Sequence, residues 1–202
     1  MPPSRATSGA EVSIPEVNAS TPAAPGSAME DCPDCNVMSP AAEAQRICLR
    51  LLTTRPCSRV ELAGALRRRG VPEEIGEPVL DRLSELGLVN DAALAEAAVY
   101  SGHSHRGLGR RALSTELRRR GVPDKVVQEA VATVRTEDEE QRARELVRRK
   151  LRTSTVRDTE SSIRRLVAML ARKGYSESLA WRAVRDELGA EGWPVEIEPC
   201  PD

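Results

Sequence analysis

The chain has 202 residues, 30% of them charged and 40% hydrophobic, with 2% aromatic residues and no phenylalanine, so Leu, Val, Ile and Ala must build the core and helices are favoured over sheets. Its net charge of -1 conceals a division: residues 41–189 hold 29 Lys+Arg against 22 Asp+Glu, while the flanks hold 1 against 9. No apolar run is long enough to cross a bilayer and no basic-then-apolar leader opens the chain, so no membrane association and a cytoplasmic location are expected.

Residues 1–38 are rich in Pro, Ala and Ser without periodicity, and are expected to be disordered because they cannot bury enough surface to offset ordering entropy. Cys32 and Cys35 form a lone C-x-x-C with too few ligands for a structural zinc site, and five cysteines do not make a disulfide framework. Cys48 reads as a small buried hydrophobe. A first three-helix module is predicted over 39–89. Ser39 and Pro40 start its first helix, with Ala44, Ile47, Cys48, Leu51 and Leu52 on the buried face, and Pro56 ends it. Ser58 and Glu61 form a capping box for the second helix, which carries Leu62, Ala63 and Leu66. Ile75, Val79, Leu83 and Leu86 give the third, with Gly76 and Pro78 weakening its first turn.

The second module, 90–135, starts near Asn90 and Asp91, carries Leu94, Ala95, Ala98 and Val99, and is expected to break at a solvated loop from Gly102 to Gly107. Leu113 and Leu117 mark its second helix, and Val126, Val127, Ala130 and Val134 its third. In the third module, 136–189, Thr136 and Glu139 are expected to form a capping box. Ile163, Leu166, Val167 and Leu170 follow, then Ala180, Ala183, Val184 and Leu188. Residues 190–202 form an acidic, proline-containing tail with Trp193.

The modules are tied together by an internal repeat. Leu-Arg-Arg-Arg-Gly-Val-Pro stands at 66–72 and again at 117–123, with a looser copy at 170–176; the starts lie 51 and 53 residues apart. Gly70, Gly121 and Gly174 are placed to take the left-handed conformation that ends a helix. The fold class is therefore all-α, with three tandem helix-turn-helix-like repeats expected to share apolar surface in an elongated, curved arrangement.

No nucleophile with a base, carboxylate pair or phosphate-binding loop is visible, so no catalytic residue, metal or cofactor is assigned. His103 and His105 fall on the expected loop and are too few for a metal. The repeated feature is arginine: Arg67, Arg68 and Arg69; Arg110 and Arg111; Arg118, Arg119 and Arg120; Arg148, Arg149 and Lys150; Arg164 and Arg165; Arg172 and Lys173. Residues 142–173 alone carry 11 basic and 3 acidic residues. These clusters are the candidate contacts for a polyanion or an acidic protein groove, against the simpler reading of solvated helix faces.

The two Leu-Arg-Arg-Arg-Gly-Val-Pro copies, Leu86-Gly-Leu-Val-Asn-Asp91 leading into Leu94 and Val99, and Gly107-Leu-Gly-Arg-Arg111 resemble the RecX family of bacterial regulators. The likeness covers about residues 41–189. Leu94 and Ala98 stand where such proteins commonly have aromatic residues, and Gly102 where they commonly have a basic one. The resemblance implies a monomeric, non-enzymatic protein that lies in the groove of RecA-DNA filaments. It also implies inhibition of recombinase, ATPase and coprotease activities in DNA repair, recombination and the SOS response, with direct DNA contact in some members. Two rivals are a DNA-binding protein acting without a filament, since the modules resemble helix-turn-helix units, and a scaffold for another acidic protein.

Overall fold

The computed structural model describes residues 39–153, 159–190 and 192. The expected disorder of residues 1–38, the Cys32/Cys35 pair, and Trp193 with the acidic tail lie outside the described residues. Among those described there are nine helices and no strand: α1 Pro40–Thr54, α2 Arg59–Arg68, α3 Glu73–Glu85, α4 Asp91–Ser104, α5 Arg110–Arg119, α6 Asp124–Ala132, α7 Thr136–Arg152, α8 Thr159–Arg172 and α9 Glu177–Ala190.

Local sequence explains several of the helix starts. The Ser39 hydroxyl accepts from the Ala42 N–H, and Pro40 opens α1. Ser58 and Glu61 make the reciprocal capping box, at 3.1 and 3.0 Å. Asn90 accepts from the Ala93 N–H at 2.9 Å. The expected box of Thr136 and Glu139 is absent. Arg135, whose guanidinium has no acceptor, is the N-cap of α7, Thr136 is already helical, and the Glu139 N–H donates to the Arg135 carbonyl oxygen, while the Glu139 carboxylate accepts from the start of α5.

All three glycine turns close in the same way. Val71, Val122 and Tyr175 donate to the carbonyls of Leu66, Leu117 and Leu170, five residues back, while Gly70, Gly121 and Gly174 donate to those of Arg67, Arg118 and Ala171. This is the Schellman arrangement, and it requires the positive φ found at the three glycines, 76°, 78° and 85°.

Each helix trio encloses its own apolar cluster. Ile47, Leu62, Leu66, Leu80 and Leu83 are at the centre of the first, Leu94, Val99, Leu113, Leu117 and Val127 of the second, and Leu146, Leu166, Leu170, Tyr175 and Leu188 of the third. Neighbouring modules share apolar surface at the seams, where Gly121 lies against Val60, Gly107 against Leu146 and Gly174 against Ala112, but each keeps its own core. Helix packing is concentrated within modules, and the seams add hydrogen bonds and ion pairs to these close glycine contacts. Leu66, Leu117 and Leu170 occupy equivalent sites at 2%, 1% and 0% exposure. Leu117→Ala is expected to lower the unfolding free energy by at least about 2 kcal/mol, the lower end for a buried leucine, as a shift in the urea midpoint.

Two other expectations change. In α3 the buried positions are Gly76, Leu80 and Leu83, whereas Leu86 is the exposed C-cap: the helix ends at Glu85, and Gly87, at φ 71°, turns the chain away before Leu86 can reach the core. Helix α4 does not break at Gly102 but runs on to Ser104. His103 therefore sits in a helix, its Nδ1 3.0 Å from the Leu108 carbonyl oxygen, and His105 packs edge-on against Tyr100. No described helix is long and apolar enough to cross a membrane.

Candidate partner interface

A helix start leaves N–H groups without intrahelical partners, and both seams in this chain exploit that deficit in one repeated way. A carboxylate from the later module's first helix takes the first N–H of the earlier module's second helix: Asp91 takes that of Arg59 at 3.0 Å, and Glu139 that of Arg110 at 2.8 Å. The carbonyl just before the later turn glycine accepts from the earlier helix's N-cap residue. Arg120 accepts from the Ser58 hydroxyl at 2.5 Å, and Lys173 from the Gly109 N–H at 2.8 Å. The cation on that same residue reaches a carbonyl oxygen ahead of the helix: Arg120 that of Pro56 at 2.8 Å, Lys173 that of Arg106 at 2.7 Å.

Several side chains complete these seams. Arg120 also pairs with Glu61 at 3.2 Å. Burial raises the Glu61 carboxyl pKa, but the Ser58 N–H, Arg120 and Arg55 outweigh it and hold the group below its usual range. Arg110 donates to the Val134 carbonyl oxygen and lies 3.6 Å from Glu139. Arg142 donates to the Ser104 carbonyl oxygen, and the Tyr175 hydroxyl to that of Gly107 at 3.2 Å. The Lys173 ammonium is held below its ordinary pKa by desolvation, reinforced by Arg149, Arg142 and Arg106.

The candidate basic residues consequently divide. Arg110, Arg120 and Lys173 hold modules together. Arg148 grips Glu187, itself 6% exposed, through two bonds of 2.8 Å within the third module. Arg118 pairs with Asp124 at 2.7 Å, Arg164 pairs with Glu160, and Arg165 bonds Ser161. Among the described residues, the side chains of Arg67, Arg68, Arg69, Arg111, Arg119, Arg149, Lys150 and Arg172 make no ion pair or hydrogen bond, and all eight residues are exposed. These cations remain available to a partner.

The sequence reading missed Asp91, Glu139, Arg106 and Arg142 as seam residues. Glu61 was legible as a capping residue, but its second bond to Arg120, 59 positions away, was not. No described group of three His, Cys, Asp or Glu residues could hold a metal ion.

The fold defines an all-helical array of three-helix modules, each of which carries exposed cations. Family models match at the same three places: the RecX first three-helix domain over residues 44–83, the second over 90–131 and the third over 137–184. A regulatory protein RecX from Thermobifida fusca is 53% identical over 161 residues, 80% of this chain and 86% of that protein. One from Mycobacterium avium is 44% identical over 163 residues, covering 79% and 94%. The crystal structure of RecX from Lactobacillus salivarius superposes with a TM-score of 0.67 at 17% identity, covering 73% of this chain and 96% of that one, which shows the shared fold. The chain belongs to the RecX family of regulatory proteins.

Proposed function

We propose that this protein binds RecA and RecA-DNA filaments and restrains their recombinase, ATPase and coprotease activities, acting in the cytoplasm as a monomer in recombination, DNA repair and the SOS response. The reading is supported by family membership together with the eight exposed, unpaired cations distributed over all three modules. Such an array suits an extended acidic groove better than a point ligand.

The rival, duplex recognition without a filament, requires the helix after each turn to enter the major groove with its N-terminal residues on the bases. Here those helices begin with Glu73 and Glu74, Asp124, and Glu177. Carboxylates at those positions would face phosphates, so direct DNA contact is kept as an accessory to filament binding. The expected result is that substoichiometric protein slows RecA-catalysed, DNA-dependent ATP hydrolysis; an unchanged rate at every ratio would overturn the reading.

A further inference from the structure

The turn of the first module has the same backbone as the other two and an arginine, Arg69, where the seams use Arg120 and Lys173. Among the described residues no module precedes it. A Cβ at Gly121 would lie 2.5 Å from Val60, and one at Gly174 2.3 Å from the backbone nitrogen of Ala112, whereas one at Gly70 meets nothing within 4 Å. Arg67, Arg68 and Arg69 are exposed with no ion pair to a described carboxylate. The acid nearest in role to Asp91 and Glu139, Glu43 in the first turn of α1, is bonded to Arg46 on its own helix and feels Arg69 only as a weaker attraction without a direct ion pair. One half of a seam is present, and no described residue supplies its mate.

Resting on the filament-binding reading above, we propose that the Arg67–Gly70 turn receives the N-terminus of an α-helix of the filament protein, one with an acidic residue in its first turn. The chemistry follows from the two seams. A helix start supplies N–H donors for the turn's carbonyl oxygens, as at Gly109 and Arg111 opposite Lys173 and Gly174. An acid in the first turn suits the helix dipole and can take Arg69 as Glu61 takes Arg120. A DNA phosphate fits less well, because half of the docking surface consists of carbonyl acceptors to which a phosphate cannot bond. A second copy of the chain also fits less well. The third module would have to offer α8, which at 14 residues is longer than the 10-residue α2 and α5, so an additional turn precedes the equivalent helix start.

The test places a benzoylphenylalanine photo-crosslinker at position 69 of the full chain, bound to RecA filaments on single-stranded DNA with a non-hydrolysable ATP analogue. Adducts are then mapped by mass spectrometry. The expected adduct lies in the first turn of one RecA helix, beside an Asp or Glu. In parallel, Arg69→Glu should weaken filament binding about tenfold or more without changing the melting temperature, whereas Arg50→Glu, an equally exposed change on α1, should leave it intact. Reversing the mapped acid to Arg should rescue Arg69→Glu. Adducts confined to DNA, to a second copy, or to a RecA strand or loop would overturn the inference alone, as would unaltered binding by Arg69→Glu. Failure of the parent chain to co-sediment with filaments would overturn the filament reading and the inference with it.

Discussion

Gly174→Ala is expected to lower the unfolding free energy by about 3 to 5 kcal/mol, while the same change at the equivalent Gly70 should cost only about 1 kcal/mol. Both glycines have positive φ, so both substitutions carry the left-handed strain of roughly 1 to 2 kcal/mol at most. What differs is the surroundings. At Gly174 the new methyl carbon would lie 2.3 Å from the Ala112 backbone nitrogen and 2.8 Å from its Cα, and a helix backbone cannot step aside as a flexible side chain can. Overpacking of this kind adds about 1 to 3 kcal/mol, and here it also opens the bond from the Gly109 N–H to Lys173. Urea unfolding of the two variants measures the difference. Equal midpoint shifts would mean that the seam between the second and third modules contributes nothing.

That contrast marks where sequence reasoning reaches and where it stops. The three turns were legible because their chemistry is local: an apolar face, a glycine that tolerates positive φ and a new helix start, all within seven residues. The caps at Ser39 and Ser58 were legible for the same reason. The seams were not, because their bonds join residues tens of positions apart, as between Ser58 and Arg120 or Arg110 and Glu139. Two residue types misled in particular. Glu139 looked like a capping partner because it stands three residues after a threonine, yet the helix starts with Arg135 as its N-cap and the Glu139 carboxylate accepts from the neighbouring module's N–H group. Leu86 looked like core because it continues a helical spacing, yet Gly87 ends the helix and leaves Leu86 exposed at 54%. Arginine was the least legible of all: the same side chain fastens a seam at Arg120 and stands free in solvent at Arg119.

This last pair supports a direct separation of architecture from function. Arg120→Glu is expected to destabilise the protein by about 3 kcal/mol. Its new carboxylate would face Glu61 and the Pro56 carbonyl oxygen in a seam where the Arg120 and Glu61 side chains are only 22% and 23% exposed. Arg111→Glu combined with Arg119→Glu alters two exposed side chains without partners among the described residues, so stability should move by no more than about 0.5 kcal/mol for each. The double variant should nevertheless lose about tenfold or more in filament affinity, since reversed charge opposes an acidic groove directly. Reversing Arg118, Arg119 and Arg120 together would confuse the two effects, because a protein with an open seam loses binding for structural reasons. Thermal melts and inhibition of RecA ATP hydrolysis, measured on Arg120→Glu and on the double variant side by side, separate them. A double variant that melts and inhibits like the parent would remove the second module from the contact surface and leave Arg149, Lys150 and Arg172 of the third, with the Arg67–Gly70 turn of the first, as the cations that meet the filament.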